Sequence, residues 1–438
     1  MSDVVAESAA PPPEEVGSWR LLVRSFATLA VGEGVARIFG LVAVLLLARR
    51  LGPLDFGIVS FALTLVGWFS IVVDSGTELL NVRDIAREPS RFREISERVL
   101  GLRLVISVVA AGVFVLAIET LARSNHVRNT VVLFAIVLPA TALNLRWMVL
   151  GVRAPRSIAV GNIAARVTLA TGVVLLVHGS HDLHRVPFLE TGAEIVYGAV
   201  ILVAMARRFG FLRPRVDLSA WVATLRQSTP LLVNAVARAV FYSFDIVIIE
   251  LFLGPHKVGI YAAGSKPVLF VIGAAGLFSV SFLSEFSAAR ESDSARRLLR
   301  KALRTSAVVA LPITVALSSS AVVLLPFLFG HRYTDAGLVL VVLAWRIPIA
   351  ALTGPYASAL ISHGRQKALM RNNLIAAAAL AAGDLVAIPL LGILGAAAAS
   401  VVASALVLGL NYRAFARLES DPSAFAPAGV ADVAGARR

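Results

Sequence analysis

Charged side chains lie deep inside several long apolar segments of this sequence, where they could bind an oppositely charged ligand. A charge at the centre of a lipid bilayer costs at least about 2.5–3.5 kcal/mol, so each such residue requires a partner or a function. Guanidinium and ammonium groups bind phosphate oxygens, whereas buried carboxylates bind cations or protons. The candidate site residues are the basic Arg37, Arg166, Arg238, Lys266 and Arg346 and the acidic Glu33, Asp245 and Asp384.

Two of the arginines occupy nearly equivalent places in the chain. Arg37 lies 14 residues before Leu51, and Arg238 lies 15 residues before Leu253. At matching depths in two related helices, they would face one another across a central cavity, where they could bind a pyrophosphate in a bidentate way. The alternative is that Glu33 neutralises Arg37 as an i, i+4 helical pair and that Arg238 extends to the membrane surface.

Each of the other basic candidates has a functional interpretation and a structural one. Lys266 precedes Pro267, which could open its helix, and no acidic residue is adjacent to it. A substrate or gating role is one hypothesis, and extension to the membrane surface is the other. Arg166 and Arg346 also lie several residues from the ends of their predicted helices, and Arg346 could instead form an interfacial anchor with Trp345.

The acidic candidates could neutralise these cations or bind a coupling ion. Asp245 lies seven residues after Arg238 on roughly the same helix face, so pairing with Arg238 is preferred over a cation site. Asp384 could bind the coupling ion of a transporter, H⁺ or Na⁺, or pair with a neighbouring helix. Carboxylates near the predicted helix ends are expected to be solvated or to cap helices. They are Asp74, Glu78, Glu119, Glu190, Glu194, Glu250 and Glu285.

Several other kinds of chemistry are not expected. His178, His181 and His184 have a spacing that could suggest a metal site, but they lie in a turn-rich segment that fixes no geometry. The chain has no cysteine, and no Ser-His-Asp or paired-carboxylate constellation lies on a segment large enough for a soluble catalytic site. The net charge of +14 is spread between the apolar segments, which argues against nucleic acid. We therefore expect no enzymatic activity, cofactor or metal.

The composition indicates an integral membrane protein that is entirely α-helical. Apolar residues make up 58% of the 438 residues and charged residues 16%, with a mean hydropathy of +0.82. A soluble domain could not bury this much apolar surface. Hydrophobic windows of roughly 20 residues predict about twelve membrane-spanning helices. They lie at about 25–48, 56–80, 99–121, 127–150, 158–178, 187–206, 229–252, 258–285, 303–329, 337–361, 372–391 and 393–413.

Basic residues between these helices predict the orientation of the chain. The segments after even-numbered helices and their flanking turns contain 22 lysines and arginines, against seven after odd-numbered helices. Because positive residues are retained in the cytoplasm, both termini are expected there, in the cytoplasmic membrane. The predicted organisation is two six-helix halves, 25–206 and 229–413, with a cytoplasmic linker at 207–228 and disordered tails at 1–24 and 414–438.

An internal repeat relates the two halves. Residues 51–58, Leu-Gly-Pro-Leu-Asp-Phe-Gly-Ile, recur as residues 253–260, Leu-Gly-Pro-His-Lys-Val-Gly-Ile, which is 202 residues later. Both copies join the first and second helices of their half. Since six is even, the halves have the same orientation, which predicts a parallel pseudo-two-fold repeat with a substrate site between the halves.

Five motifs together resemble bacterial polysaccharide flippases, the exporters of lipid-linked oligosaccharides in the multidrug/oligosaccharidyl-lipid/polysaccharide exporter superfamily. The resemblance runs in order over about residues 25–415. Its motifs lie at 47–57, at 74–76 with 83–86, at 253–263, at 329–336 and at 388–397. A long acidic, proline-containing N-terminal tail departs from the compact start of that family.

The resemblance implies a function and a set of partners. Such flippases move a lipid-linked oligosaccharide, usually on undecaprenyl pyrophosphate, from the cytoplasmic to the outer leaflet by alternating access, for polysaccharide biosynthesis. The expected partners are this substrate, membrane lipids and other envelope-biosynthesis proteins such as a glycan polymerase, and the protein is expected to be a monomer. The alternatives are a cation-coupled drug antiporter of the same superfamily, a membrane-bound polysaccharide polymerase or ligase, and a catalytically silent scaffold.

Overall fold

The computed structural model describes residues 13–121, 124–152, 154, 156–288 and 292–419, and within these ranges it contains helices and no β-strand. Short 3₁₀ turns join several of the fifteen α-helices of the described chain. The helices are α1 (Pro13–Asp74), α2 (Thr77–Arg87), α3 (Phe92–Leu121), α4 (Asn125–Leu133), α5 (Val137–Thr141), α6 (Arg146–Gly151), α7 (Arg156–Leu176), α8 (Val186–Phe209), α9 (Leu218–Leu253), α10 (Pro255–Ala288), α11 (Ser292–Phe329), α12 (Ala336–Ala344), α13 (Arg346–Ser362), α14 (Gln366–Leu391) and α15 (Ile393–Glu419).

The predicted all-helical membrane fold is confirmed. Ten segments of the described chain are long and apolar enough to cross a membrane, and many of their large apolar side chains are exposed, as expected for surfaces that contact lipid. Each of the twelve predicted helices overlaps a helix of the structure. One of the ten segments, Gly32–Arg87, covers two predicted helices, and α9 is not among the ten. The exact number of twelve spans therefore stays a prediction.

The two Leu-Gly-Pro sequences adopt the same backbone conformation. Gly52 breaks α1 with φ 76° and ψ 175°, and Gly254 separates α9 from α10 with φ 82° and ψ 174°. Only glycine adopts this region readily, and the proline that follows each glycine is suited to the first turn of the next helix. The repeat thus has matching local structure at this place, while the pseudo-two-fold symmetry of the whole halves stays a prediction.

Several predicted helix boundaries are wrong because hydropathy does not detect local breaks. The second predicted helix ends at Asp74 rather than near residue 80, since Ser75 and Gly76 both have positive φ and begin a turn before the amphipathic α2. The fourth predicted helix is divided into α4, a 3₁₀ turn, α5 and α6. It contains Pro139, which lacks the N–H group that continues a helical ladder.

The predicted linker and tails are shorter than expected. Helix α9 begins at Leu218, so only 210–217 of the predicted linker lies outside a helix. Asp217 caps α9 by accepting a hydrogen bond from the Ala220 N–H, and this bond lowers the pKa of the Asp217 carboxyl. Helical structure also covers 13–24 and 414–419 of the predicted tails, because helices continue beyond the apolar windows. The remaining tail residues, 1–12 and 420–438, lie outside the described residues.

The two halves contact each other closely where the repeated segments lie, which we call the repeat end of the molecule (51–58 and 253–260). A side-chain β-carbon on Gly57 would collide with the Pro255 carbonyl, and one on Gly259 would collide with the Pro53 carbonyl. Arg49 donates hydrogen bonds to the carbonyl groups of Phe327 and Leu328 in α11, the latter at 2.8 Å. The first half is therefore joined to the second at this end by backbone contacts and hydrogen bonds.

Candidate functional site

The predicted ion pair between Glu33 and Arg37 is present in α1. The Arg37 Nε lies 3.3 Å from Glu33 Oε1, and the Asn162 amide of α7 donates to the other Glu33 oxygen at 3.0 Å. Both charged side chains are about 30% exposed, so neither is sealed from a ligand. The Arg37 guanidinium also reaches Gly273 of α10, where a β-carbon would collide with it. Arg37 thus contacts the second half as well as the first.

Two glutamates of α8, expected from the sequence to be solvated or to cap a helix, interact with charged residues of other helices. Glu190 in α8 is 8% exposed and interacts electrostatically with Arg166 of α7, with Glu194 and with Lys266 of α10. Glu194, one turn later, also interacts with Arg166. The expectation of a solvated Glu190 is wrong, because the second turn of α8 packs against the other helices instead of facing water.

We refer to Glu33, Arg37, Arg166, Glu190, Glu194 and Lys266 as the central charge cluster. Its members come from α1, α7, α8 and α10, and therefore from both halves. Three formal positive charges balance three formal negative charges, which reduces the free energy cost of placing charges at this depth. Sequence analysis identified four of the six residues. It missed the two α8 glutamates, whose only signal is their four-residue spacing on one helix face.

Arg238 is located elsewhere, and the structure does not bring it opposite Arg37. It is exposed and lines a cavity of about 510 Å³ between the end of α1, the start of α2 and the middle of α9, together with Asp74, Glu78 and Asn234. Asp74 lies 17 residues after Gly57 on a continuous helix, which corresponds to about 26 Å along its axis. This cavity is therefore far from the repeat end, at the opposite end of the interface between the halves.

A second group of polar residues is buried within the C-terminal half. Asp245 of α9 is 3% exposed and accepts hydrogen bonds from Tyr261, from Ser400 at 3.3 Å and from its own helix at the Ile246 N–H. Arg238 is not among its partners, so the preferred pairing is wrong. Seven residues correspond to about 10.5 Å along a helix, too far for these two side chains to meet.

Arg346 lies in the same buried group. It is 3% exposed, donates to Ser404 at 3.3 Å, and its guanidinium carbon lies 5.8 and 5.9 Å from the ring centres of Phe241 and Tyr242. These residues line a cavity of about 200 Å³. Trp345 is half exposed, whereas Arg346 is not, so an interfacial anchor formed by the pair is excluded for Arg346.

Asp384 of α14 completes what we call the C-terminal polar cluster (Asp245, Tyr261, Arg346, Asp384, Ser400 and Ser404). Asp384 is fully buried, and neither of its carboxylate oxygens has a hydrogen-bond partner among the described residues. It interacts electrostatically with Asp245 and Arg346. A buried carboxylate without a partner is costly unless it binds a proton or a cation, so Asp384 is suited to do either.

Among the described residues, no group of three or more histidine, cysteine, aspartate or glutamate side chains is placed to hold a metal ion. At the histidine-rich segment, the Asp182 carboxylate accepts from the His178 N–H at 2.9 Å and lies 3.0 Å from Arg185. These contacts already occupy the one carboxylate of the segment.

The fold defines an all-helical, multi-pass membrane protein. Residues 22–283, more than half of the chain, match the profile of the family described as polysaccharide biosynthesis protein. The chain belongs to that family, which confirms the resemblance read from its motifs.

Comparisons with known proteins agree with this assignment. An Escherichia coli (strain K12) protein named "Putative O-antigen transporter" is 21% identical over 355 residues, which cover 79% of this chain and 85% of that protein. Among solved structures, the lipid II flippase MurJ in an inward closed conformation has a TM-score of 0.73 at 14% identity, covering 89% of this chain and 87% of that one. An inward-facing MATE family transporter of the MOP superfamily has a TM-score of 0.71 at 13% identity, covering 88% and 94%. At these identities the structural likeness concerns the fold alone.

Proposed function

We propose that the protein moves a lipid-linked oligosaccharide, carried on undecaprenyl pyrophosphate, from the cytoplasmic to the outer leaflet of the cytoplasmic membrane. The observation that carries this proposal is the central charge cluster, which includes Arg37 and Arg166 of one half and Lys266 of the other. Guanidinium and ammonium groups at this depth can bind a pyrophosphate that has been removed from water. Membership of the polysaccharide biosynthesis family supports a glycan as the rest of the cargo.

The arrangement of the halves supports alternating access. The repeat end is closed by the Gly57 and Gly259 contacts, while the cavity lined by Arg238 lies at the other end of the same interface. The distribution of basic residues supports a cytoplasmic location for that cavity and for both termini. In this orientation the chain approximates a state closed to the outside.

Two substitutions test the transport proposal. Arg37→Met and Lys266→Met each remove one cation from the central charge cluster while keeping an unbranched side chain. A charge-assisted hydrogen bond contributes about 1.5–3 kcal/mol, so we expect each variant to lower the affinity for the pyrophosphate by about tenfold or more. In cells, surface glycan should fall and the lipid-linked oligosaccharide should accumulate in the cytoplasmic leaflet.

The matched control is Arg128→Met, which breaks an exposed pair with Glu119 at 3.6 Å and should leave export unchanged. Protein abundance in the membrane must be equal in all strains. Normal surface glycan in both Arg37→Met and Lys266→Met cells would contradict the proposed site.

The glutamates of the central charge cluster would also suit a cationic cargo, which is the observation that favours a drug antiporter of the same superfamily. A drug antiporter and a lipid flippase predict different effects of the same substitution on ethidium efflux. Glu33→Gln should abolish efflux of ethidium if the cargo is a cation, because the carboxylate would bind the dye. It should leave ethidium efflux unaffected if the cargo is an anionic lipid.

We further propose that Asp384 binds the coupling ion, H⁺ or Na⁺. The carboxylate is fully buried and has no hydrogen-bond donor among the described residues, which supports this role. Asp384→Asn keeps the shape and removes the charge, so transport should become independent of the ion gradient while the protein still folds. Transport assays in vesicles with an imposed pH or Na⁺ gradient identify the ion. Gradient-driven transport at the wild-type rate in Asp384→Asn would contradict the proposal.

A further inference from the structure

A groove of about 460 Å³ lies between the beginning of α7 and the end of α8. Arg156 is the first residue of α7, and Arg207 lies in the last turn of α8, so both arginines are at the same end of this helix pair. Both line the groove, and no member of the central charge cluster does. The groove is therefore separate from the proposed transport site.

The mouth of the groove carries positive charge that the protein does not neutralise. Arg156 and Arg207 are exposed, and among the described residues neither side chain forms an ion pair or a hydrogen bond. Ser157, next to Arg156, adds a hydroxyl that likewise has no partner in the described part of the chain. The described lining includes no carboxylate. Two guanidinium groups and a hydroxyl donor suit the oxygens of a phosphate.

The floor of the groove is apolar and faces the lipid. It consists of small and β-branched side chains, namely Val160, Ala199, Val200, Val203 and Ala204. Val160 and Val203 are 57% and 50% exposed. From Arg207 to Ala199 the groove runs for eight residues, or about 12 Å, most of one leaflet of a hydrocarbon core about 30 Å thick. It ends where α7 and α8 touch, since a β-carbon on Gly161 would lie 3.1 Å from the Tyr197 ring.

We propose that this groove binds an anionic phospholipid of the cytoplasmic leaflet, with its phosphate at Arg156 and Arg207 and an acyl chain along the apolar floor. The distribution of basic residues supports a cytoplasmic location for this end of both helices. Anionic lipids are concentrated in that leaflet, and basic pockets between membrane helices bind their headgroups. A free phosphate would leave the apolar floor without a role.

The transported lipid has a similar headgroup, but the position of the groove favours a phospholipid. Helices α7 and α8 pack on each other and on α1 and α5, all of the first half, whereas the proposed transport site includes residues of both halves. Binding of the phospholipid does not depend on what the protein transports.

Native mass spectrometry of the full-length protein in a neutral detergent can measure this binding. Dioleoyl phosphatidylglycerol and dioleoyl phosphatidylcholine have the same chains and differ in charge, and we expect the wild-type protein to bind the first more tightly. Arg156→Gln and Arg207→Gln should each lower the affinity for phosphatidylglycerol by about fivefold and leave phosphatidylcholine binding unchanged. The control is Arg226→Gln, an exposed arginine of α9 outside the groove, which should bind as the wild type.

A second pair of variants tests the apolar floor. Val160→Trp fills the groove and keeps both arginines, so it should also weaken phosphatidylglycerol binding. Val174→Trp is its control, because Val174 is an exposed valine of the same helix about 21 Å further along its axis. Melting temperatures without added lipid should be equal in all variants, since each replaced side chain is exposed.

A preference for phosphatidylglycerol that is lost in the two groove arginine variants and in Val160→Trp, and kept in both controls, would support the proposal. Equal binding of the two phospholipids by the wild type, or unchanged phosphatidylglycerol binding in Arg156→Gln and Arg207→Gln, would overturn it. Wild-type affinity in Val160→Trp, with displacement of the lipid by inorganic phosphate, would show a free anion site instead. Tighter binding of farnesyl diphosphate than of phosphatidylglycerol, weakened by Arg156→Gln, would assign the groove to the transported lipid and also overturn the proposal.

Discussion

Arg103 is a buried arginine whose role is structural rather than the binding of a ligand. It is 3% exposed, pairs with Asp74, donates to the Asn144 carbonyl at 2.7 Å and lies 5.7 Å from the centre of the Trp147 ring. The Asn144 carbonyl is free to accept this bond because the helical ladder is interrupted between α5 and α6. One side chain thus joins α3 to the end of α1 and to the broken fourth span.

Arg103→Met should destabilise the protein. Removing one partner of a buried ion pair typically costs about 3–5 kcal/mol, and the one-third exposure of Asp74 reduces the expected loss to about 2–3 kcal/mol. Thermal unfolding of the purified protein in detergent measures the effect, and Arg103→Lys should recover part of it. The control is Arg83→Met, whose pair with Asp84 is half exposed and contributes little. Equal melting temperatures for Arg103→Met and the wild type would contradict this role.

Local spacing could predict some of these residue contacts and not others. Glu33 and Arg37 are four residues apart on one helix, so their pairing follows from helix geometry and is confirmed. The sequence showed no acid beside Lys266, because Glu190 is 76 residues earlier and belongs to the other half. Their proximity depends on how α8 and α10 pack against the other helices. Spacing within one helix contains no information about that packing.

At the scale of elements, the two glycines of the repeat allow helices of different halves to touch. An interior glycine weakens a helix by about 0.5–1 kcal/mol relative to alanine, so helix propensity alone would favour alanine at Gly57 and Gly259. The opposing carbonyl groups of Pro255 and Pro53 occupy the space that a β-carbon would need. Close contact between the halves, rather than helix stability, therefore explains both glycines.

Gly57→Ala and Gly259→Ala should each disturb closure of the repeat end and reduce glycan export. The added β-carbon meets backbone, which cannot rotate away, so the contacting helices must separate. Because the chain has no cysteine, an Ala48→Cys probe can report this opening through its rate of reaction with an aqueous maleimide. Ala48 is fully buried in the closed state, where its carbonyl accepts from Tyr333 at 2.8 Å.

Gly67→Ala is the matched control for the glycine variants. Like Gly57, Gly67 lies in the part of α1 that follows the break at Gly52, and a β-carbon there would meet no other atom within 4 Å. It should leave export and the reactivity of Ala48→Cys unchanged. If Gly57→Ala and Gly259→Ala leave both readouts as in the wild type, closure of the repeat end does not depend on this contact.

The elements themselves were largely predictable, and their interruptions were not. Apolar windows locate helices because each helix that crosses the hydrocarbon region of a bilayer needs about 20 apolar residues. They do not reveal the break between α5 and α6, where Ala142 and Leu145 are as apolar as the helix around them. The turn at Ser75 and Gly76 was missed for a related reason. The amphipathic α2 that follows has Leu80 and Ile85 among its buried residues, and these continue the apolar pattern of the window.

At the scale of the whole molecule, the asymmetric distribution of arginine and lysine predicts a direction for every helix. The 22-to-7 difference depends on the helices alternating in direction, and each of the twelve predicted helices overlaps a helix of the structure, the first two both lying in α1 on either side of Gly52. The repeat end should therefore face the outside, together with the 3₁₀ turn Ser180–Arg185. The turn Pro89–Arg91, between α2 and α3, should face the cytoplasm.

Single cysteines in the cysteine-free chain can establish this orientation. His181→Cys and His331→Cys place a thiol at exposed positions in two different turns on the predicted outer side, and Ser90→Cys places one on the predicted inner side. In right-side-out membrane vesicles, a membrane-impermeant maleimide should label the two histidine positions at once and Ser90→Cys only after permeabilisation. All three should react equally once detergent is added, which controls for accessibility. Labelling of Ser90→Cys in sealed vesicles, with both histidine positions protected, would reverse the orientation, place the Arg238 cavity outside and contradict export from the cytoplasmic leaflet.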